Sequence, residues 1–442
     1  MTRSAASLPP ASDTLVDLVV IGLDDQGRAM LERLPAAEGY RFHQLFSATE
    51  VRGVERFTVE SWLDQADILL EDLGDGVDGL VSYWDFPVTE MAAILAERHG
   101  LHAATLEALT RLQHKYWARR RQRRTVPDAT PAFEPVDVFD DAAVDAIGLP
   151  FPYWLKPVRS FRSHLGFRVG SPIELHDAVT DIRAELPRIA DPYAPILARL
   201  SLPPEVAAAG AHACIAEAII GGRQCTLEGW SRGGEVEIYG VIDSIRDVNG
   251  STFARFQYPS SLPPQVQVAM AQVARSVILD AQYEDAPFNA EFYWDPDRER
   301  IWLLEINARL SRSHLELFEH VDGVSHAQVL VDLSLGRRPT MPRREGDWPL
   351  AAKCFIRHYA DALVRAVPGP DDIGRIEAAV PGTSIHLDIQ SGDLLSALPD
   401  QDAYSHELGY IVVGATSEHE LLEKYGRCVA LLRLDLDDRE TP

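Results

Sequence analysis

Residues 289–314 read Asn-Ala-Glu-Phe-Tyr-Trp-Asp-Pro-Asp-Arg-Glu-Arg-Ile-Trp-Leu-Leu-Glu-Ile-Asn-Ala-Arg-Leu-Ser-Arg-Ser-His. Two apolar runs, at 292–294 and 301–306, flank an Asp-Pro-Asp-Arg turn, which is the pattern of a β-hairpin. Each predicted strand carries one carboxylate in an otherwise apolar or aromatic run, Glu291 and Glu305. We therefore predict two antiparallel strands that each present one glutamate.

The polar residues of the second strand follow one another at two-residue steps. Side chains at this spacing point to one face of a strand, so Glu305, Asn307 and Arg309 are expected to project together. Glu291 can lie beside them on the partner strand. Two carboxylates and an amide oxygen form a hard oxygen site suited to Mg²⁺, and an adjacent arginine suits an anion or a transferring phosphoryl group. The alternative is a surface hairpin with alternating polar residues.

The run Glu305-Ile-Asn-Ala-Arg309, with a second glutamate fourteen residues upstream across a hairpin, resembles the metal-binding signature of the ATP-grasp superfamily. Members of that family activate a carboxylate as an acyl phosphate, which an amine or another nucleophile then attacks. The resemblance implies Glu291, Glu305 and Asn307 as ligands of Mg²⁺, or of Mn²⁺ in its place. It implies Arg309 as a contact to phosphate or to the acyl phosphate.

Lysine is rare in this chain, which has only Lys115, Lys156, Lys353 and Lys424. An ammonium is a compact charge suited to phosphate oxygens. Lys115 lies in a segment that resembles the family's Asp-Lys-x-x-x-Arg helix start, with His114 in place of the aspartate. Lys156 lies in Tyr-Trp-Leu-Lys-Pro-Val, which resembles the family's Ile-x-Lys-Pro strand. The resemblance implies that these two lysines contact the phosphates of ATP, whereas the other two lie in no nucleotide motif.

Residues 158–169 correspond to a loop that is rich in glycine and serine in the family and closes over the triphosphate with backbone N–H groups. Ser160, Ser163 and Gly166 match it and are predicted to bind the nucleotide. This version has lost glycines and gained arginines, Arg159 among them, which we expect to substitute by charge. A basic surface loop is the alternative.

Residues 213–230 resemble the family's adenine hinge, in which a strand ends in glutamate before an apolar turn. The resemblance implies Glu217 near the adenine or ribose, and the backbone of Ala218 and Ile219 against the adenine edge. Gln224 stands where the family usually has glutamate and is also assigned to the nucleotide site. An edge-strand carboxylate is the alternative for Glu217.

The overall composition is that of a soluble globular protein with several domains. The chain has 442 residues, of which 46% are hydrophobic and 25% charged, and no apolar run approaches the roughly 18 residues of a membrane span. The net charge of −25 argues against nucleic acid as a partner. Four cysteines without CxxC spacing indicate a reducing compartment and no zinc site. We expect a cytoplasmic protein.

The chain divides into segments of different character. We expect a disordered tail at 1–14, an N-terminal doubly wound α/β domain at 15–105, and an ATP-grasp domain at 106–336 with a lid subdomain at about 150–229. A linker at 337–349 and a C-terminal α+β domain at 350–442 complete the predicted fold, which is α/β and α+β overall. The last segment resembles the C-terminal domain of biotin carboxylases and L-amino acid ligases. The five arginines within 119–124 are expected to form a solvated basic face.

The arginine that ends the signature and the residues that follow it are the candidates for a catalytic role. A substrate carboxylate would attack the γ-phosphorus in line, and an amine would then attack the acyl phosphate. Arg309 is predicted to stabilise the developing negative charge, with Arg312 as a second candidate. His314 extends the same segment and is a third candidate, with a core histidine as the alternative.

Several activities remain compatible with the sequence. The first is an amide- or peptide-forming ligase acting on a small carboxylic acid and an amine, with no nucleic-acid or membrane partner and with room for a homodimer. The second is activation of bicarbonate, as in biotin carboxylases or carbamoyl phosphate synthetases. Ser313 counts against it, because biotin carboxylases carry a glutamate base at that position. The third is a non-catalytic ATP-binding protein. The identities of both substrates are left open.

Overall fold

The structure is a computed structural model that describes residues 15–52, 58–160, 164–247, 250, 252–398 and 405–438. The strands are β1 Val16–Leu23, β2 Tyr40–Ser47, β3 Val77–Val81, β4 Phe133–Val136, β5 Tyr153–Pro157, β6 Phe167–Val169, β7 Cys214–Ala218, β8 Arg223–Arg232, β9 Glu235–Arg246, β10 Phe253–Tyr258, β11 Ala286–Asp295, β12 Arg300–Asn307, β13 Leu350–His358, β14 Ala362–Ala366, β15 Thr383–Leu387, β16 His406–Ala415 and β17 Asp435–Asp438.

Helices connect and cover these strands. They are α1 Asp25–Glu32, α2 Ala48–Arg52, α3 Val59–Asp72, α4 Val88–His99, α5 Leu106–Gln113, α6 Lys115–Thr125, α7 Asp141–Asp145, α8 Pro172–Glu185, α9 Pro187–Leu197, α10 Pro204–Ala209, α11 Pro264–Ala281, α12 Leu315–Asp322, α13 Ala327–Ser334, α14 Pro370–Ala379 and α15 Glu418–Leu432. None of the described helices has the length and apolar character that a membrane span requires.

The N-terminal unit is built on a parallel sheet with strand order β2-β1-β3. The centre of β1 is apolar on both faces, as expected for a parallel strand that helices cover on both sides. Leu18 and Val20 belong to one hydrophobic cluster, and Val19 and Ile21 to another. This alternation confirms the α/β character predicted from the sequence.

The helix that carries Lys115 begins at an unusual cap. The imidazole of His114 accepts a hydrogen bond from the Trp117 backbone N–H at 3.3 Å, as a capping aspartate does in other helices. Burial lowers the pKa of His114 to about 4, so that a neutral ring nitrogen remains available as the acceptor. The histidine that replaces the family's aspartate therefore holds the start of α6.

A second sheet has the antiparallel order β4-β7-β5-β6. It includes Phe133–Val136, which pairs with the hinge strand Cys214–Ala218. The sheet therefore begins earlier in the chain than the lid boundary expected at residue 150, because β4 needs β7 as its hydrogen-bonding partner.

The largest sheet has eight antiparallel strands in the order β12-β11-β8-β9-β10-β13-β16-β15. The predicted hairpin is present as β11 and β12 at one edge of this sheet. The C-terminal strands β13, β15 and β16 extend the same sheet rather than forming a separate one. The hairpin and the C-terminal segment are therefore parts of one continuous scaffold.

Along β11 the side chains alternate between two environments. Phe288 and Phe292 lie in the hydrophobic core with residues of α11, whereas Asn289 and Glu291 point to the opposite, polar face. The register fixes the composition of that polar face. Gln224 of β8 pairs with Tyr293, one side-chain repeat from Glu291, so glutamate and amide side chains of three neighbouring strands line the face.

Candidate active site

The hairpin places Glu291 directly opposite Glu305, and Asn289 directly opposite Asn307. Asn307 Nδ2 lies 3.2 Å from Glu291 Oε1, and Gln224 Nε2 lies 3.2 Å from the other oxygen of the same carboxyl. Burial, together with the negative charge of Glu305, raises the pKa of Glu291 to about 7. The two partly buried carboxyl groups thus form a pair in which ionisation of one opposes ionisation of the other.

This arrangement suits a divalent cation, because a cation would compensate the repulsion between the two carboxylates. Mg²⁺ is commonly held by one or two carboxylates, with phosphates and water completing its coordination. In keeping with that pattern, the described part of the chain contains no group of three His, Cys, Asp or Glu side chains that could cage a metal. Asn307 could supply its amide oxygen if the amide group is turned over, since the two orientations differ only in which partner each atom meets.

A β-bulge in β12 shapes the site. Glu291 pairs with Glu305, but the next residue, Phe292, pairs with Leu303, so Leu304 has no counterpart on β11. The guanidinium of Arg119 donates to the carbonyl of Leu303 at 3.0 Å and to that of Leu304 at 2.5 Å. The backbone groups released by the bulge are therefore satisfied by a side chain from α6.

The expectation of a solvated basic face on α6 is wrong for Arg119. Its side chain is 4% exposed, because this side of α6 packs against both sheets. Arg121 is also paired, with Asp280 at 2.8 Å, whereas Arg123 and Arg124 are exposed as expected. In a run of five arginines, the sequence alone does not indicate which side chain is buried and which are exposed.

Glu217 lies between two cations. Its carboxylate accepts from Arg119 Nε at 2.5 Å and from Lys156 Nζ at 2.5 Å. Burial alone would raise its pKa, but the charges of Arg119 and Lys156 outweigh that effect and lower it to about 2. The predicted hinge glutamate and the predicted phosphate lysine are thus direct neighbours.

Lys115 and Ser160 line the same cleft. Lys115 Nζ donates to the carbonyl oxygen of Ser160 at 3.1 Å. Burial lowers the pKa of Lys115 to about 8, with the attraction of Glu305 opposing the shift, so the ammonium is still charged at neutral pH. The cleft has about 420 Å³ of empty space, and six of the predicted site residues line it: Lys115, Lys156, Ser160, Glu217, Glu305 and Asn307.

The loop after Lys156 departs from expectation at Arg159. This side chain is buried and forms ion pairs at 3.0 Å with Asp85 and with Glu90 of the N-terminal unit, so it is not free to substitute for a phosphate-binding glycine loop. Gly166 lies just before β6 and outside the cleft lining. Ser163 lies outside the described residues.

Ala218, Ile219 and Gln224 are the other residues of the hinge region that the sequence assigns to the nucleotide site. The backbone N–H of Ala218 donates to the carbonyl of Ala132 at 2.9 Å, so this group is already used within the protein. Ile219 follows the end of β7 and is 40% exposed. Gln224 lies on β8, where it contacts Glu291 instead of the hinge.

Arg309 follows β12 and forms an ion pair with Asp85 at 3.1 Å. Arg159 binds the other oxygen of the same carboxylate at 3.0 Å. Burial would raise the pKa of Asp85, but these two guanidinium groups hold it well below the usual range of an aspartate. Asp85, which the sequence did not single out, therefore ties the signature arginine to the N-terminal unit.

Arg312 is fixed by contacts from the same unit. Its guanidinium lies 2.9 Å from a carboxylate oxygen of Asp24, at the start of α1. It also stacks over the ring of Trp84 at 4.2 Å and over that of Tyr83 at 5.0 Å. It does not line the cleft that contains Lys115 and Lys156.

His314 is 2% exposed and lies beneath the signature segment. Its Nδ1 is 2.7 Å from Glu228 Oε1, and its ring packs edge-on against Phe256. Burial lowers the pKa of His314 to about 3, so the ring is neutral at physiological pH. The prediction of a catalytic histidine is corrected to the alternative, a core histidine.

Glu228 is the centre of a buried cluster of polar side chains that the sequence did not predict. It is 0% exposed and accepts hydrogen bonds from Asn289 Nδ2 at 2.7 Å and from the Ser311 backbone N–H at 3.3 Å. Burial raises the pKa of its carboxyl to about 7. The available signal was a single glutamate in the apolar stretch that precedes Trp230.

Comparison with known proteins shows what this chain resembles. A family model described as carbamoyl-phosphate synthase L chain, ATP binding domain, matches residues 258–340, which include the hairpin, the bulge and both signature arginines. No curated protein matches the chain by sequence.

Several solved structures are similar over nearly the whole chain. An L-amino acid ligase from Bacillus licheniformis has a TM-score of 0.73 at 16% identity, covering 96% of this chain and 99% of that one. A biotin carboxylase from Campylobacter jejuni has a TM-score of 0.66 at 14% identity, covering 95% and 92%. A phosphoribosylglycinamide synthetase from Anaerococcus prevotii has a TM-score of 0.60 at 12% identity, covering 95% and 99%.

The chain has the ATP-grasp fold. The resemblance predicted from Glu305-Ile-Asn-Ala-Arg309 is confirmed, and so is the mixed α/β and α+β architecture.

The pKa of Glu228 leads to a prediction about stability. A glutamate in the unfolded chain ionises near pH 4.5, whereas Glu228 keeps its proton in the native state up to about pH 7, so its contribution to stability is lost as pH rises across this window. Replacing it with glutamine removes that dependence. The free energy of unfolding of Glu228→Gln should therefore gain on that of the wild type by roughly 2–3 kcal/mol between about pH 5 and pH 8.

Urea denaturation at several pH values would measure this difference. Burial lowers the pKa values of the neighbouring His314 and His326 to about 3 and about 4, so in this window both histidines titrate only in the unfolded chain. Wild type and variant share that titration, and it cancels when their free energies of unfolding are subtracted. Glu97→Gln, an exposed position on α4, is the matched control and should show no such gain. A difference between Glu228→Gln and wild type that stays constant with pH would contradict the prediction.

Proposed function

We propose that the protein is an ATP-dependent carboxylate–amine ligase that forms an amide or peptide bond and releases ADP and phosphate. The observation that carries this proposal is the convergence of Lys115, Lys156, Glu305 and Asn307 in one cleft, with Glu291 paired to Glu305 behind it. The similarity to an L-amino acid ligase over 96% of the chain supports an activity of this class.

ATP would lie in this cleft between the four-stranded and the eight-stranded sheets. Lys115 and Lys156 would contact its phosphates, and Glu217 would meet the adenosine end. Glu291, Glu305 and Asn307 would hold Mg²⁺, which supplies charge neutralisation at the phosphates when it is bound. The pair of Lys156 with Glu217 keeps the lysine oriented toward the cleft before the nucleotide arrives.

The first chemical step is attack by an oxygen of the substrate carboxylate on the γ-phosphorus. A new O–P bond forms, the bond from that phosphorus to the β,γ-bridging oxygen breaks, and ADP leaves with the electron pair. Arg309 would stabilise the negative charge at the acyl phosphate. Asp85 holds this arginine at the end of β12, so little reorganisation is needed during the reaction.

The second step forms the product. A neutral amine attacks the carbonyl carbon, phosphate departs with the electrons of the C–O bond, and the amine loses a proton. Water would hydrolyse the same intermediate, so the site must be covered during turnover. The sheet that carries Lys156 and Ser160 lies over the cleft and is the natural cover.

Bicarbonate activation is the second candidate, because a biotin carboxylase is similar over 95% of the chain. Ser313 is the residue that speaks against it. It lies between Arg312 and His314 in a short 3-10 turn, and a hydroxyl there cannot act as the carboxylate base that the resemblance would require.

Nucleotide binding is the first consequence to test. Mg-ATP at a hundred times its Kd should stabilise the protein by about 2.7 kcal/mol, which a thermal melt detects as a higher Tm. Lys156→Met and Lys115→Met should each reduce this shift, because each removes a charge next to the phosphates. Lys424→Met is the control, since Lys424 pairs with Glu420 on α15 and should leave the shift unchanged. Equal losses in all three variants would count against the assigned site.

The metal carboxylates provide a second test. Glu305→Gln should fold normally but lose at least about a hundredfold in ATP turnover, because a neutral amide is a poor ligand for Mg²⁺. Glu299→Gln, an exposed glutamate in the turn of the same hairpin, should retain wild-type turnover. Full activity of Glu305→Gln in an ADP-release assay would show that the hairpin carboxylates are structural only.

The third test separates amine ligation from bicarbonate chemistry. ADP release should require a carboxylic acid substrate, and an amide should appear in the products when an amine is added. Arg309→Ala should lower kcat by roughly a hundredfold or more with little change in the Kd of Mg-ATP, because the charge it meets develops after the nucleotide binds. Rapid ADP release with bicarbonate and free biotin, and none with amino acids, would favour the second candidate.

A further inference from the structure

Lys353 differs from the other lysines in that its ammonium donates to no oxygen atom of the described residues. The remaining three donate to named acceptors: Lys115 to the Ser160 carbonyl, Lys156 to Glu217, and Lys424 to Glu420. The ammonium of Lys353 forms no ion pair and no hydrogen bond with the described residues. Its contacts are with aromatic rings, 3.6 Å from the centre of Tyr410 and 5.4 Å from that of Phe355.

This position is costly for a charged group. Lys353 is only partly exposed, and burial lowers the pKa of its ammonium. Glu407, Asp388 and Glu316 attract it, but none of them lies within ion-pair distance. Cation–π contacts contribute about 0.5–2 kcal/mol and do not satisfy the three donors of an ammonium. A lysine held in this state is suited to receiving an anion from outside the chain.

The place of Lys353 in the sheet connects it to the signature segment. On β13 it pairs with Phe256 of β10, whose ring contacts His314, and its charge contributes to the low pKa of that histidine. The charge of Arg312 in turn acts on Lys353. An anion at Lys353 would therefore lie one strand away from Phe256, whose ring contacts His314 in the segment after Arg309.

The N-terminal unit contacts the residues around Lys353. Tyr410, which carries the ammonium on its ring face, is hydrogen-bonded to Gln26 of α1, and Gln26 is also a partner of Arg312 at 3.4 Å. His386 also stacks on the tyrosine ring, with ring centres 4.6 Å apart. Side chains from separated parts of the chain thus meet at Tyr410, next to an ammonium that has no acceptor among the described residues.

We propose that Lys353 binds the free carboxylate of the amine-bearing substrate, which makes that substrate an amino acid or a peptide. This inference rests on the proposed function. The carboxylate that is activated must lie at the phosphate end, near Glu305 and Arg309. A second cation set on another strand, beyond Arg312, is placed for a carboxylate that does not react. Holding it would direct the amino group of the same molecule toward the acyl phosphate.

The test compares an acid with its neutral analogue. Wild-type protein with Mg-ATP is screened for ADP release with the twenty proteinogenic amino acids, singly and in pairs. In each active pair the amine donor is then replaced by its carboxamide. The wild type should show a KM at least about tenfold higher for the carboxamide, since a carboxamide carries no charge to pair with the ammonium of Lys353.

Variants assign the effect to the residue. Lys353→Met should raise the KM for the acid at least about tenfold and remove the preference over the carboxamide, whereas Lys353→Arg should restore most of that preference. Lys424→Met is the matched control and should behave as wild type. The Tm shift with Mg-ATP should be unchanged in Lys353→Met, which separates loss of the acceptor from loss of the nucleotide site.

Other outcomes would contradict either the role of Lys353 or the proposed ligase function. Equal use of acid and carboxamide by the wild type, or an unchanged preference in Lys353→Met, would overturn the role of Lys353 while leaving the ligase function intact. If Lys353→Met fails to fold, the wild-type comparison and Lys353→Arg decide the question. If Mg-ATP raises the Tm but no amino acid drives ADP release, the amino-acid ligase function itself fails, and this inference fails with it.

Discussion

The pairing of Glu291 with Glu305 is the constraint on which the site depends. A slip of β12 by one residue against β11 would turn Glu305 into the core and away from Glu291, so the alternation of apolar residues fixes where the carboxylates lie. The bulge at Leu304 follows from keeping that register while Leu303 stays buried. Arg119 satisfies the carbonyls that the bulge releases, and the same guanidinium binds Glu217, which joins the β11–β12 hairpin to the sheet that carries Lys156.

Local patterns in the sequence predicted much of this arrangement. The hairpin was readable from two apolar runs around a turn, and Lys115 and Lys156 from motifs that extend over a few residues, so their placement in one cleft was expected. Contacts between residues that are distant in the chain could not be predicted in this way. Asp85 lies 224 residues before Arg309, and no local spacing indicates that the two meet. Arg119 belongs to a run of arginines in which burial depends on how α6 packs.

The positions of His314 and Gln224 show where a one-dimensional pattern stops being informative, because strand alternation and motif order do not determine contacts beyond the element that carries them. The two-residue alternation that relates Glu305 to Asn307 ends with β12, and the following turn directs His314 into the core. Gln224 follows the hinge residues along the chain, and its strand β8 pairs with β11, which aims its amide at Glu291. Strand neighbours determine such contacts, and strand order is a property of the whole sheet.

Several positively charged side chains lie in the interior of the protein, although the net charge of the chain is −25. The way in which they are paired affects how a nucleotide could bind. Four cations at or near the cleft have a carboxylate partner from a different element: Glu217 for Arg119 and Lys156, and Asp85 for Arg159 and Arg309. Removing one partner from a buried pair leaves an uncompensated charge, which is strongly destabilising. A triphosphate that draws Lys156 away from Glu217 avoids this cost, since Arg119 continues to compensate the glutamate and the phosphate compensates the lysine. The three-member group therefore allows a change of partner without ever leaving a charge alone.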